Sequence, residues 1–126
     1  MQYPSVMIVD DLPVFRHAIR EAVERYGAHV VTEAENGRKA LYRYAEYSPD
    51  LVFLDITMPV MDGIETLRWL KRFDPAVKVV MCSSVKDSDM IFEAIRLGAM
   101  DFVPKPFTED RIAAAIYHAV GGQEGV

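Results

Sequence analysis

Leu51-Val52-Phe53-Leu54-Asp55-Ile56-Thr57-Met58-Pro59-Val60-Met61-Asp62-Gly63 is the stretch on which the fold turns. Four apolar residues run without interruption into a single carboxylate, Asp55, and Pro59 and Asp62-Gly63 follow it. A short apolar run bounded by turn formers is the mark of a strand buried on both faces. Asp55 therefore stands where a buried strand gives way to a loop. In an open parallel sheet, ligands bind outside that edge. An acid in such a place can also cap the next helix or hold a loop amide, so its meaning depends on its surroundings.

Working outward, Ser5–Val9 is a second apolar run that ends in acids, Asp10-Asp11. Pro13 suits the first turn of a helix, where its missing N–H costs nothing. Phe15, Ala18, Ile19, Ala22, Val23 and Tyr26 follow as one apolar stripe, and Gly27 is placed to end it. The segment 28–34 is rich in β-formers and reads as a strand nearer an edge. Asn36 is suited to cap a helix whose apolar face carries Ala40, Leu41, Tyr44 and Ala45, with Pro49 beyond its end. After Asp62-Gly63, Ile64, Leu67 and Leu70 point a third helix inward, and Pro75 closes it. Strand four is 77–82, followed by Ser83-Ser84, and helix four is 90–97, stopped by Gly98. Strand five is 101–103. Thr108 caps a last helix whose inward residues are Ile112, Ala115, Ile116, Ala119 and Val120.

Strands alternating with helices predict an α/β architecture, a doubly wound parallel sheet with helices on both faces. Right-handed crossovers leave few topologies, and a single reversal after the first strand gives the order 2-1-3-4-5. In that order the first and third strands are neighbours, and Asp10, Asp11 and Asp55 meet at one rim.

The 126 residues make one ordinary domain, expected to span residues 1–120 with a flexible tail over 121–126. Hydrophobic residues are 51% and charged residues 26%, as in a soluble globular protein. A net charge of -5 argues against nucleic-acid binding by bulk electrostatics. Cys82 is the single cysteine and reads as a small buried hydrophobe in a reducing, cytoplasmic setting. No signal sequence is visible, and no apolar run approaches the ~20 residues a membrane span needs.

Three carboxylates in one cleft repel one another, and a divalent cation removes the conflict. Oxygen ligands alone, with room for water, suit Mg²⁺. A carboxylate so placed can attack phosphorus and become an aspartyl phosphate. Lys105 and Ser83 follow strands five and four at the same rim, offering an ammonium and a hydroxyl to phosphoryl oxygens. Asp10-Asp11 as a helix-cap pair, Lys105 as a solvated lysine and Ser83-Ser84 as a turn are the alternatives for each taken singly. His17, His29 and His118 lie far apart in this reading and receive no metal. Trp69 falls off its helix's apolar stripe and is expected to cover arginine or lysine stems at the surface.

Asp10-Asp11, the run Asp55-Ile-Thr-Met-Pro-x-Met-Asp-Gly, Ser83 and Lys105-Pro106-Phe107, in that order along nearly the whole chain, resemble the response-regulator receiver family. Asp-Ile-Thr-Met-Pro and Cys-Ser-Ser are most similar to its single-domain, CheY-like chemotaxis members. The resemblance implies a flavodoxin-like (βα)₅ fold and two-component signalling, in which a histidine kinase is the phosphodonor. It makes Asp55 the phosphoacceptor, and Asp11, Asp55 and the Thr57 backbone carbonyl Mg²⁺ ligands, with Asp10 acting through water. Lys105 pairs with the acceptor, Ser83 is the switch hydroxyl and Phe102 the switch aromatic, lacking the hydroxyl of a tyrosine. The Lys105–Pro106 bond is expected to be cis. Thr57 and Val85 stand at the positions that tune hydrolysis of the phosphoryl group, and neither is an acid or amide, so a long-lived phosphoryl state is expected. The implied output is binding of a protein target, a flagellar motor or another effector, through helix four, strand five and helix five. The chain is then no turnover enzyme. A receiver cut from a larger regulator fits the same residues. A dehalogenase-like phosphatase fits less well, since its general acid two residues after the nucleophile is here Thr57. A flavin-phosphate module fits less well again, since Asp10-Asp11 would repel phosphate.

Overall fold

Alternation along the strands explains how both faces of the sheet are covered. Val6 and Ile8 point to one side, where they pack with Ile19 and Val23 and with Ile112 and Ile116; Met7 and Val9 point to the other, onto Ala40, Ile64, Leu67 and Ala94. The computed structural model describes residues 3–121. In it β1 (Ser5–Val9), β2 (His29–Ala34), β3 (Leu51–Leu54), β4 (Val79–Ser83) and β5 (Asp101–Pro104) alternate with α1 (Pro13–Tyr26), α2 (Gly37–Tyr47), α3 (Gly63–Phe73), α4 (Ser88–Arg96) and α5 (Glu109–Ala119). Every strand pairing is parallel, in the order β2-β1-β3-β4-β5. The expected doubly wound sheet is therefore present, with β2 at an edge. Helices α1 and α5 cover one face, and α2, α3 and α4 the other.

The caps follow the local chemistry. Asn36 accepts from the Lys39 N–H at 2.9 Å, and Thr108 from the Arg111 N–H at 3.1 Å. Gly27 and Gly98 take positive φ where α1 and α4 stop. Three expectations need correction. Strand β4 begins at Val79, because the Val77 N–H turns back to the Asp74 carbonyl after α3. Helix α4 starts at Ser88, since the Asp87 carboxylate caps it by accepting from the N–H groups of Asp89 and Met90. Ala45 is exposed rather than part of the apolar face; the buried side of α2 centres on Ala40 and Tyr44, and one residue past Tyr44 the helix has turned away. Of the expected tail, 122–126 lie outside the described residues.

The loop after β3 is held from both ends. The Gly63 N–H donates to the Ile56 carbonyl at 2.7 Å, pressing the first turn of α3 against the strand end. Between them Val60 sits at φ 71° and is 73% exposed. A β-branched residue in the left-handed region is strained, and no burial offsets it here. Val60→Asn is expected to raise stability by about 1 kcal/mol, read as a shifted urea midpoint at constant slope.

Candidate functional site

Strand ends β1 and β3 lie side by side, pairing Val9 with Leu54, so the next residues Asp10 and Asp55 share the rim of the sheet. Ligand oxygens of Asp10, Asp11 and Asp55 all fall within 4.8 Å of one another. Lys105, just beyond β5, reaches across with its Nζ 2.6 Å from Asp10 Oδ2 and 3.4 Å from Asp55 Oδ2. It is 8% exposed, and Asp55 5%. The Lys105–Pro106 bond is cis. The sheet thus brings the expected carboxylates and lysine together at one edge.

Each carboxylate has its own surroundings. Both oxygens of Asp10 are engaged, Oδ1 accepting from the Leu12 N–H at 2.9 Å and Oδ2 from Lys105. Asp55 Oδ1 accepts from the Ile56 N–H at 2.7 Å. Asp11 is half-buried and opens on a cleft of about 280 Å³ shared with Asp55, Thr57, Ser83 and Lys105. No carboxylate caps α1, whose N-cap is Leu12, so the helix-cap alternative for Asp10-Asp11 is not realised. Burial pushes the Asp55 carboxyl above the ordinary carboxylate range, against the pull of the Lys105 ammonium and the Ser83 hydroxyl. Burial likewise pushes the Cys82 thiol up to about 12, which fits its place as a small core residue.

Three carboxylates against one ammonium leave negative charge in excess. All the donors are hard oxygens, a set that fits Mg²⁺ rather than a thiophilic metal. Thr57 lines the same cleft, and among the described residues no hydrogen bond ends on its carbonyl. Lys105 is what keeps the cluster compact. Lys105→Met would strand Asp10 and Asp55 without their buried partner, at an expected cost of about 3 kcal/mol in metal-free buffer, measurable by chemical denaturation.

Ser83 is the last residue of β4, 1% exposed, and its Oγ accepts from the Val85 N–H at 3.3 Å. Phe102 does not line the cleft. It is half-buried against the α2–α4 side of the core, alongside Val85, Met90 and Leu97. Trp69 is exposed and lies under the Arg72 guanidinium at 5.3 Å, as a surface tryptophan covering an arginine. Phe15 and Arg16 are among the residues at the site that escaped the sequence reading. The Phe15 ring lies 3.9 Å from Lys105 Nζ and lines the cleft, and Arg16 Nη1 donates to the Asp10 carbonyl at 2.7 Å. Phe15 reads as a core position from its helical spacing, and only its place four residues after Asp11 sets it near the acids.

The family model for the response regulator receiver domain matches residues 6–117. The chain belongs to the response-regulator receiver family. Among curated relatives, the chemotaxis protein CheY of Bacillus subtilis is 46% identical over 111 residues, 88% of this chain and 92% of that protein. CheY of Thermotoga maritima is 40% identical over the same shares. The receiver's fold matches that of the Borrelia burgdorferi CheX–CheY complex with BeF3 and Mg²⁺, with a TM-score of 0.87 at 29% identity, covering 90% of this chain and 86% of that one. It also matches the receiver domain of the response regulator NarL from Mycobacterium tuberculosis, with a TM-score of 0.90 at 28% identity, covering 97% and 99%. The receiver is thus a CheY-like domain of two-component signalling, a class whose members are in general not turnover enzymes. Its acidic cluster is of a kind that can bind a metal. Among the described residues, no helix is long and apolar enough to cross a membrane.

Proposed function

We propose that this receiver takes a phosphoryl group from a histidine kinase onto Asp55. The observation that carries the reading is the convergence of Asp10, Asp11, Asp55 and Lys105 in one cleft. Asp11, Asp55 and the Thr57 carbonyl would hold Mg²⁺, with Asp10 joining through water, since both of its oxygens already have partners. When bound, the ion neutralises charge building on the phosphoryl oxygens.

The chain's own residues supply the rest. A carboxylate oxygen of Asp55 attacks phosphorus; the new O–P bond forms as the P–N bond of the donor's phosphohistidine breaks, and the imidazole leaves with the electron pair. The Ile56 N–H holds the other oxygen of Asp55 and so fixes the plane of the nucleophile. Lys105 is close enough to move from Asp10 to a phosphoryl oxygen, and Ser83 offers its hydroxyl from the end of the neighbouring strand β4. Drawing Ser83 inward frees space toward which Phe102 can turn, a two-state shift biased by local charge and packing. The responding surface is α4, β5 and α5, which exposes Ile95 and Tyr117 and in which Asp101 of β5 and Arg111 of α5 pair at 2.8 Å. A protein target, a flagellar motor or another effector, would read it, with no direct contact to nucleic acid, in the cytoplasm. The domain would run over 1–120.

The test is incubation with acetyl phosphate and Mg²⁺, followed by intact mass and location of the label. One phosphoryl group on Asp55, absent without Mg²⁺, is expected; an unlabelled chain, or label elsewhere, overturns the reading. Because neither Thr57 nor Val85 carries an acid or amide to orient water, slow loss of the group is also expected, over minutes or longer. Decay within seconds in a chase would contradict the role given to those two positions.

A further inference from the structure

We propose that Phe15 is a positioning residue for phosphoryl transfer, acting through the face of its ring on the Lys105 ammonium. The inference rests on the acceptor role of Asp55 proposed above. Lys105 Nζ lies 3.9 Å from the centroid of the Phe15 ring, while Asp10 Oδ2 and Asp55 Oδ2 lie 2.6 and 3.4 Å from the same nitrogen. An ammonium carries three donor hydrogens. Here carboxylates answer it from one direction and an aromatic face closes another, in a place that is 8% exposed.

Phe15 is not simply a core residue of α1. The buried members of that helix are Ile19, Ala22 and Val23, whereas Phe15 stays half-buried and forms part of the cleft wall. Pro13 opens the helix that carries it, and the Phe107 ring meets its ring at 6.4 Å between centroids with the planes tilted by 50°. Phe107 follows Lys105 by two residues, so one loop carries both the ammonium and the ring that braces Phe15.

The attraction between a cation and a ring face is electrostatic and broad in direction, and it strengthens when water is excluded. A lysine held this way keeps its hydrogens for oxygen acceptors. It can pivot from Asp10 toward an arriving phosphoryl oxygen without losing the contact behind it. A Leu or Met side chain would fill the space but leave the nitrogen free to draw in water.

The experiment replaces Phe15 in the full chain with Tyr, Leu and pentafluorophenylalanine, whose ring keeps the shape of Phe but reverses the charge distribution of its face. Phosphorylation by acetyl phosphate with Mg²⁺ is followed across donor concentrations, and thermal melts confirm that each variant is folded. The Leu and pentafluoro chains are expected to lose about tenfold in the maximal rate with an unchanged half-saturating donor concentration, and Tyr to stay within about twofold of wild type. A pentafluoro chain as fast as wild type, or Leu as fast as Phe, would overturn the positioning role. If wild type itself takes no label, the acceptor reading fails and takes this role with it; label on wild type at one rate across all side chains removes this role alone.

Discussion

Asp55→Asn is expected to abolish phosphoryl uptake and to raise the melting temperature at neutral pH in metal-free buffer. The first effect follows from removing the nucleophile, since an amide oxygen does not form the acyl phosphate. The second follows from the site's electrostatics. Asp55 is buried among like charges, and its carboxyl is pushed above the ordinary range chiefly by burial. A carboxyl whose folded-state pKa lies above its unfolded value favours folding when protonated and opposes it when ionised. Its contribution is present below the unfolded value and is lost as pH rises through the folded one. Asn, uncharged throughout, is free of that penalty, while Lys105 keeps Asp10 at 2.6 Å. The gain should be about 1 kcal/mol, roughly 4 °C for a chain of this size. It should shrink in acid, where wild type is protonated too, and shrink when Mg²⁺ is added, because a bound cation stabilises wild type by mass action. A variant less stable than wild type at neutral pH, in a metal-free melt, would show that Asp55 contributes more as a partner of Lys105 than it costs as a buried charge.

The parts of this site that were legible in the sequence are those where chemistry interrupts a pattern. Asp55 ends an unbroken apolar run, Asp10-Asp11 ends another, and the order of strands puts the two ends together. Lys105 was legible only through its company, as one cation beyond the last strand, and the sheet places it opposite the acids. Phe15 could not be found in this way. Helical spacing assigns it to the core with Ile19, and nothing local shows that a loop 90 residues away, at Lys105, brings an ammonium onto its ring. Ala45 went wrong for a related reason: small apolar residues satisfy the helical pattern on either side of the buried face, and the packing of Tyr44 decides which way it turns. Asp87 was silent because a cap reveals itself by the N–H groups it accepts from, not by its neighbours in the chain. Val60 carries no sign of its left-handed backbone, a conformation imposed by the closure of the loop between β3 and α3.

Gly63→Ala is expected to be the most disruptive single-methyl change near the site. In sequence, Asp62-Gly63 reads as a turn followed by a helix, and Asp62 does cap α3, accepting from the Glu65 N–H at 2.9 Å. The glycine has a different task. A Cβ there would stand 2.0 Å from the Asp55 carbonyl oxygen and 2.7 Å from Ile56 Cα, both backbone atoms that no side-chain rotation can clear. Relief requires α3 to back away from the end of β3. That breaks the Gly63 N–H bond to the Ile56 carbonyl and loosens Ile64 and Leu67, which are packed beneath the sheet. Overpacking against backbone, with a lost hydrogen bond, should cost about 4 kcal/mol. The same displacement moves Asp55 itself, so a folded remnant should take up phosphoryl far more slowly than its residual stability would suggest. Alanine at Gly27 separates the two consequences. There φ is +101° but nothing lies within 4 Å of the added carbon. The cost is backbone strain alone, about 1–2 kcal/mol, at the end of α1 remote from the acids. Denaturant melts and phosphorylation rates on both variants check the distinction: Gly27→Ala should lose stability and keep its rate, and an equal loss of rate in the two would refute the claim that the glycine at position 63 sets the place of the acceptor.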